Sequence, residues 1–327
     1  MAGRRALITG VTGQDGSYLA EHLLDLGYEV HGIVRTTTSD IAATRVGHLL
    51  VGQQPRVHLH VADLGDAFSL LRLVEEVEPH EIYNLAAQSH VRASFDMPIT
   101  TGDITGLGAV RLLESIRKVD PSIRFYQASS SEMFGAAPPP QNEETPFHPR
   151  SPYAVSKVYA FWATANYREA YGLHASNGIL FNHESPRRGK EFVTRKVTSH
   201  IPRILTGEIK DLRLGNLDAR RDWGHARDYV RAMHLMVAHD EPLDLVVGTG
   251  ESHTIREFLD LAFAMVDVDW HDHVVIDERL FRPAEVDYLQ SDPTRARQTI
   301  GWEPTMSFEQ LVADMVRADC RAYGIDV

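Results

Sequence analysis

Tyr153 and Lys157 stand four residues apart in Ser151-Pro152-Tyr153-Ala154-Val155-Ser156-Lys157, the spacing that a proton-transfer pair on one helix requires. Positions i and i+4 share a helix face, so the Lys157 ammonium is expected beside the Tyr153 phenol, lowering its pKa from about 10 toward neutrality. Just upstream, a strand-like stretch ends in Ser129-Ser130-Ser131-Glu132. A Ser130 hydroxyl could hold the substrate oxygen that Tyr153 deprotonates, and Glu132 could take a proton from a neighbouring carbon. Oxidation of an alcohol needs no such carboxylate, so Glu132 points to a second proton transfer. The plain alternative is a surface Tyr-Lys pair, a pattern frequent by chance.

The element that would present a cofactor to this set is at the N-terminus. Arg5-Ala6-Leu7-Ile8-Thr9 reads as a buried strand running into Gly10-Val11-Thr12-Gly13-Gln14-Asp15-Gly16, and an apolar stripe at Tyr18, Leu19, His22, Leu23 and Leu26 predicts a helix directly after it. Strand, glycine turn and helix in that order form a dinucleotide-binding unit: glycines let a pyrophosphate approach the backbone, and the helix N-terminus offers N–H groups to the anion. Gly10, Thr12, Gly13, Gln14, Asp15 and Gly16 are therefore candidate cofactor residues. The second candidate strand closes on Arg35, where an acidic residue would bind a ribose 2′-hydroxyl and an Arg suits a 2′-phosphate. NADP is favoured over NAD, with Thr36, Thr37, Thr38 and Ser39 adding hydroxyls. Asp63 and Leu64 close the third strand, where they would meet the adenine. Leu85, Ala86, Ala87 and Gln88 close the fourth, where small residues let a cofactor pass.

Strand patterns at 5–9, 29–35, 56–62, 81–86, 124–129 and 174–181 alternate with helical patterns at 17–26, 66–77, 104–118 and 152–170, which implies an α/β fold with a parallel, doubly wound sheet. Beyond about residue 182 the alternation breaks. Helical stretches at 192–206, 228–238, 254–266 and 307–323 are separated by segments rich in Arg, Asp, Gly and Pro, which read as a smaller substrate lobe. The expected division is 1–182 for a mainly cofactor-binding domain and 183–327 for a mainly substrate-binding lobe, with some segments returning to the first. The 327 residues, 43% hydrophobic, suffice for this arrangement. No apolar run reaches a membrane span and no signal peptide precedes the first strand, so a cytoplasmic enzyme is expected. One cysteine, Cys320, excludes an intrachain disulfide, and the net charge of −12 argues against broad nucleic-acid binding. Arg and Lys cluster between Arg187 and Arg203, which suits a small anionic ligand. The 17 histidines show no metal-ligand spacing, and no metal is expected.

Gly-x-x-Gly-x-x-Gly with Tyr-x-x-x-Lys resembles the extended short-chain dehydrogenase/reductase superfamily. Finer stretches, at Ile8 to Leu19, Gln127 to Gly135 and Leu180 to Gly189, resemble the GDP-mannose 4,6-dehydratases, and the similarity continues through Arg220 to Gly224, Arg282 to Asp287 and Gly301-Trp302. The resemblance implies that Tyr153, with Lys157 and Ser130, deprotonates a hexose 4-hydroxyl during C4 oxidation. It implies that Glu132 then takes the C5 proton as water leaves C6, and that the cofactor is internally recycled. It further implies that His183 and Arg188 contact the cofactor, and that Asn182, Lys196, Arg221, Arg282 and Glu285 bind GDP-mannose or a related sugar nucleotide. A homo-oligomer, dimer or tetramer, is expected. The chain departs from the pattern at Ser130, where relatives usually have Thr, at Thr36, where a second Arg is usual, and at Thr100, where a Tyr often contacts the cofactor. An epimerase or reductase on a related sugar nucleotide, which would not need Glu132, and a non-catalytic nucleotide-binding protein stay open as alternatives.

Overall fold

Strand and helix alternate from the first residues because apolar side chains recur with period two in one and near 3.6 in the other. The computed structural model describes residues 3–35, 44–50, 56–281 and 284–327. In it β1 (Arg5–Thr9), α1 (Gln14–Asp25), β2 (Glu29–Val34), β3 (Val57–Val61), α2 (Ala67–Val77) and β4 (Glu81–Asn84) follow in turn. Two short helices, α3 (Val91–Asp96) and α4 (Pro98–Thr101), and a π-helical turn at Gly102–Leu107 lead into α5 (Gly108–Val119). Next come β5 (Arg124–Ser130), α6 (Pro152–Tyr171), β6 (Ala175–Leu180) and β7 (Asn182–Glu184). The remainder is α7 (Val193–Leu205), β8 (Leu212–Leu214), β9 (Arg220–Arg221), β10 (Trp223–His225), α8 (Ala226–Ala238), β11 (Asp244–Val247), β12 (His253–Thr254), α9 (Ile255–Ala264), β13 (Val274–Ile276), α10 (Thr294–Ile300) and α11 (Phe308–Arg321).

Seven strands form one sheet in the order β11-β6-β5-β4-β1-β2-β3, with every pairing parallel. Alternate residues of β1 enter opposite cores: Ala6 and Ile8 pack under α1 and α8, and Leu7 packs under α2 and α5. A separate core gathers Val197 and Ile201 of α7, Phe258 and Phe263 of α9, and Leu311 and Met315 of α11. The chain leaves β1 toward β2 on one side and meets β4 on the other, so strand order reverses at β1 and a crevice opens beyond the carboxyl ends. Register aligns those ends, with Thr9 opposite Asn84 and Asn84 opposite Gln127.

Three features differ from the sequence reading. β11 was not assigned, because Asp-Leu-Val-Val is too short an apolar run to identify; it completes the sheet beside β6. Helix α1 begins at Gln14 rather than 17, drawing the last glycine of the turn into its first turn. The regular helix expected from 104 starts at Gly108, after a π-helical turn in which Thr105 Oγ1 accepts from the Gln88 N–H at 3.2 Å. Among the described residues no helix is long and apolar enough to cross a membrane.

Candidate active site

A cavity of about 1000 Å³ fills the crevice at the reversal point. Gly10, Thr12, Gly13, Gln14, Asp15 and Gly16 line it from the first turn, Arg35, Asp63, Leu64, Leu85, Ala86, Ala87 and Gln88 from the next strand ends, and Ser130, Glu132, Tyr153 and Lys157 from β5 and α6. His183, Arg188, Asn182, Lys196, Arg221 and Glu285 close it from the C-terminal segments. Every expected site residue within the described residues thus faces one space; Arg282 and Thr36 to Thr38 lie outside them.

The glycine turn fits a dinucleotide. Helix α1 opens at Gly13 with no side-chain cap, so its first N–H groups are available to an anion. A Cβ on Gly10, whose φ is +69°, would come within 3.0 Å of Ala86 N, and one on Gly16 would come within 2.3 Å of the Gly10 carbonyl. Behind the turn runs a polar row that the sequence did not reveal. Thr9 Oγ1 donates to Asn84 Oδ1 at 2.8 Å and accepts from the Leu85 and Ala86 N–H groups at 3.0 Å each. Asn84 Nδ2 donates to Gln127 Oε1 at 2.8 Å. These bonds fix the ends of β1, β4 and β5 against one another.

Helix α6 starts at Ser151, whose Oγ accepts from the Ala154 N–H at 3.1 Å, and Pro152 takes the first helical position, where its missing N–H costs nothing. Across its first two turns the helix buries Tyr153 and Lys157 against β5. Glu132 lies in a single 3₁₀ turn after β5, and Ser130 caps that turn by accepting from the Glu132 N–H at 3.2 Å. All four side chains are buried. The expected lowering of the Tyr153 pKa is not met: burial raises it to about 12, opposed by the Ser130 hydroxyl, and the Glu132 charge adds to the rise. Burial also lowers Lys157, to about 8, against the pull of Asp15. The Lys157 Nζ stands 5.8 Å from the Tyr153 ring centroid and donates to the Ala128 carbonyl at 2.5 Å. Helical spacing put the two residues on one face; the β5 backbone then claimed the ammonium.

Opposite this set, His183 makes two bonds, from Nδ1 to the Phe181 carbonyl at 2.7 Å and from Nε2 to Asp15 Oδ2 at 2.8 Å. Acceptors lie at both nitrogens; burial lowers the ring's pKa, but Asp15's charge and hydrogen bond outweigh it and raise the pKa above its ordinary value. Burial raises the Asp15 carboxyl, yet the His183 charge and hydrogen bond, with Gln14 and Arg188, hold it at about 2. Gln14 donates to the His183 carbonyl at 3.0 Å and accepts from Ser185 Oγ at 2.7 Å. Gln14, Asp15 and His183 therefore bolt α1 to β7. Arg188 pairs with Glu184 at 3.1 Å and lies 3.6 Å from the Phe192 ring centroid. On the substrate side, Lys196 Nζ donates to the Arg213 carbonyl at 2.6 Å, and Arg221 is buried beside the Arg220 carbonyl at 2.9 Å. Asn182 Oδ1 is buried without a hydrogen-bond partner among the described residues, as suits a group that a ligand completes.

The model of a family described as GDP-mannose 4,6 dehydratase matches residues 7–315. This chain belongs to that family. GDP-mannose 4,6 dehydratase 1 of Arabidopsis thaliana is 55% identical over 322 residues, covering 96% of this chain and 89% of that protein. GDP-mannose 4,6 dehydratase of Homo sapiens is 49% identical over 338 residues, covering 96% and 91%. Among solved structures, a UDP-glucose 4-epimerase of Thermus thermophilus in complex with NAD superposes with a TM-score of 0.83 at 26% identity, over 96% of this chain and 98% of that one. RMD from Pseudomonas aeruginosa complexed with NADPH gives 0.79 at 26%, over 98% and 99%. The dehydratase family resemblance drawn from Ile8 to Leu19, Gln127 to Gly135 and Leu180 to Gly189 is thereby confirmed, as is the doubly wound sheet.

Proposed function

We propose that this chain converts GDP-mannose to GDP-4-keto-6-deoxymannose and uses NADP as its nicotinamide cofactor. The observation that carries the reading is Glu132, a buried carboxylate in the same cavity as Ser130, Tyr153 and Lys157. C4 oxidation alone leaves it without work. Bound NADP would accept the C4 hydride and return it to C6, so the turnover needs no outside oxidant. Tyr153, which must first lose its own proton against the pKa of about 12 that burial gives it, accepts the 4-hydroxyl proton as a phenolate, with the Ser130 hydroxyl donating to the same substrate oxygen. Lys157 is protonated at neutral pH, its pKa being about 8, and supplies the cation that a phenolate needs. Glu132 takes the C5 proton, made acidic by the adjacent 4-ketone. As the C5–C6 double bond forms, it hands a proton to the departing C6 hydroxyl and water leaves; a solvent-exchanged proton then returns to C5 as hydride would reach C6. The cationic lining from Arg188, Lys196 and Arg221 suits the diphosphate.

Arg35 at the end of β2 supports NADP over NAD. The chain works as a homo-oligomer: Val155, Tyr159 and Trp162 form an exposed stripe on α6, beside exposed Ile99 and Leu107 from α4 and the π-helical turn. Incubation with GDP-mannose and NADP⁺, followed by NMR and mass spectrometry, tests the function. Loss of one water with a 4-keto-6-deoxy product is expected; unchanged GDP-mannose alongside turnover of another sugar nucleotide would refute the substrate, and C4 inversion without water loss would favour an epimerase.

A further inference from the structure

The 2′ end of the cofactor site has one recognised cation, Arg35, and the residue after it is Thr36 where the family pattern has a second arginine. Ten residues on, Arg45 enters the same cavity as Arg35. Its Nε donates to the Arg187 carbonyl and its Nη1 to the Thr12 carbonyl at 3.4 Å. Thr12 belongs to the turn that follows β1, and Arg35 follows β2, the strand paired with β1 from Arg5 opposite Glu29 to Thr9 opposite Ile33. The Thr12 carbonyl therefore ties Arg45 to the turn beside Arg35, where a ribose 2′ substituent is read, and the Arg187 carbonyl holds it from the segment after β7.

Charge around Arg45 is unbalanced. Arg187 pairs with Glu21 at 2.7 Å, Arg188 with Glu184 at 3.1 Å and Arg195 with Asp319 at 2.6 Å. Arg45 has no carboxylate within ion-pair distance among the described residues, and its Nη2 makes no hydrogen bond to them. Partial desolvation lowers its pKa, Glu191 raises it, and Arg195, Arg188 and Arg187 lower it further. A guanidinium pinned at two nitrogens, with its third making no hydrogen bond to the described residues, is preorganised for an anion in the cavity it lines.

We propose that Arg45 is the second cation for the 2′-phosphate of NADP, supplying from position 45 the charge that Thr36 does not. The assignment rests on the NADP reading above. It makes Arg45 a specificity-determining residue: it discriminates between dinucleotides and takes no part in the proton transfers.

Isothermal calorimetry of the nucleotide-free protein with 2′,5′-ADP and with 5′-ADP tests it without turnover. Arg45→Gln keeps a donor for the carbonyls and removes the charge. Its affinity for 2′,5′-ADP is expected to fall about tenfold or more, while that for 5′-ADP moves less than about twofold. Arg45→Lys keeps the charge and should retain most of the preference. Equal loss for both ligands in Arg45→Gln, or no loss for either, overturns the proposal and leaves the NADP reading standing. Equal affinity of the unaltered protein for the two ligands overturns both.

Discussion

Glu132 and Tyr153 must each accept a proton inside one buried space, and burial raises the phenol to about 12. Glu132→Gln keeps the shape and removes the base. Dehydration is expected to fall by about 10²- to 10⁴-fold, with C4 oxidation persisting as reduced cofactor in a single-turnover absorbance trace. Dehydration within tenfold of the unaltered protein would assign the C5 proton to another group. The Asp15 and His183 pair gives a stability window. Asp15, held at about 2 against an ordinary 3.8, contributes stability present above pH 3.8 and lost as pH falls through 2. His183, raised above 6.5, contributes stability present below 6.5 and lost as pH rises through its folded value. Asp15→Asn should therefore cost about 2 kcal/mol in urea unfolding near pH 5, and less near pH 3 and pH 9; a cost independent of pH would contradict the pairing. Spacing made Tyr153, Lys157, Ser130 and Glu132 legible in the sequence. The Tyr153 pKa was not legible, because desolvation belongs to the packed cavity, and neither was the Gln14 bond to Ser185, whose partners stand 171 residues apart.

At the scale of elements, the glycine turn shows how backbone contact sets composition. Gly16→Ala would drive a Cβ into the Gly10 carbonyl and Val11 Cα, at 2.3 and 2.6 Å. It is expected to cost about 1–3 kcal/mol in thermal unfolding and to shrink the rise in melting temperature that NADP produces. Gly102→Ala is the contrast: nothing lies within 4 Å of its Cβ, and helix propensity predicts a gain of up to about 1 kcal/mol. If both variants behaved alike, the close approach at Gly16 would not be what the turn requires. Strands and long helices were legible from periodicity. The π-helical turn was not, because it exists to satisfy tertiary contacts: Thr105 meets Gln88, and Gly106 sits where a Cβ would be 3.2 Å from the Tyr159 ring.

Over the whole molecule, distant segments share single anchors. Asp222 accepts from the N–H groups of Thr249 at 2.8 Å, Gly250 at 3.0 Å and Ser291 at 3.1 Å, and Asp228 accepts from the Thr305 N–H at 2.8 Å while its carbonyl receives Trp302 Nε1 at 2.7 Å. Such joints, like the return of β11 to the sheet, depend on the folded path and leave no local pattern in the sequence. Ile99 and Trp162, 87% and 60% exposed, mark the face on which copies are expected to associate. Trp162→Glu should shift the mass measured by light scattering toward the monomer, and an unchanged mass would place association elsewhere. A complete turnover tests the account most directly. With GDP-mannose and NADP⁺ in deuterated water, the account predicts a 4-keto-6-deoxy product carrying deuterium at C5, introduced when C5 is reprotonated as the hydride returns to C6. The same product without solvent deuterium at C5 would contradict Glu132 as an exchanging base, and retention of the C6 hydroxyl would contradict dehydration itself.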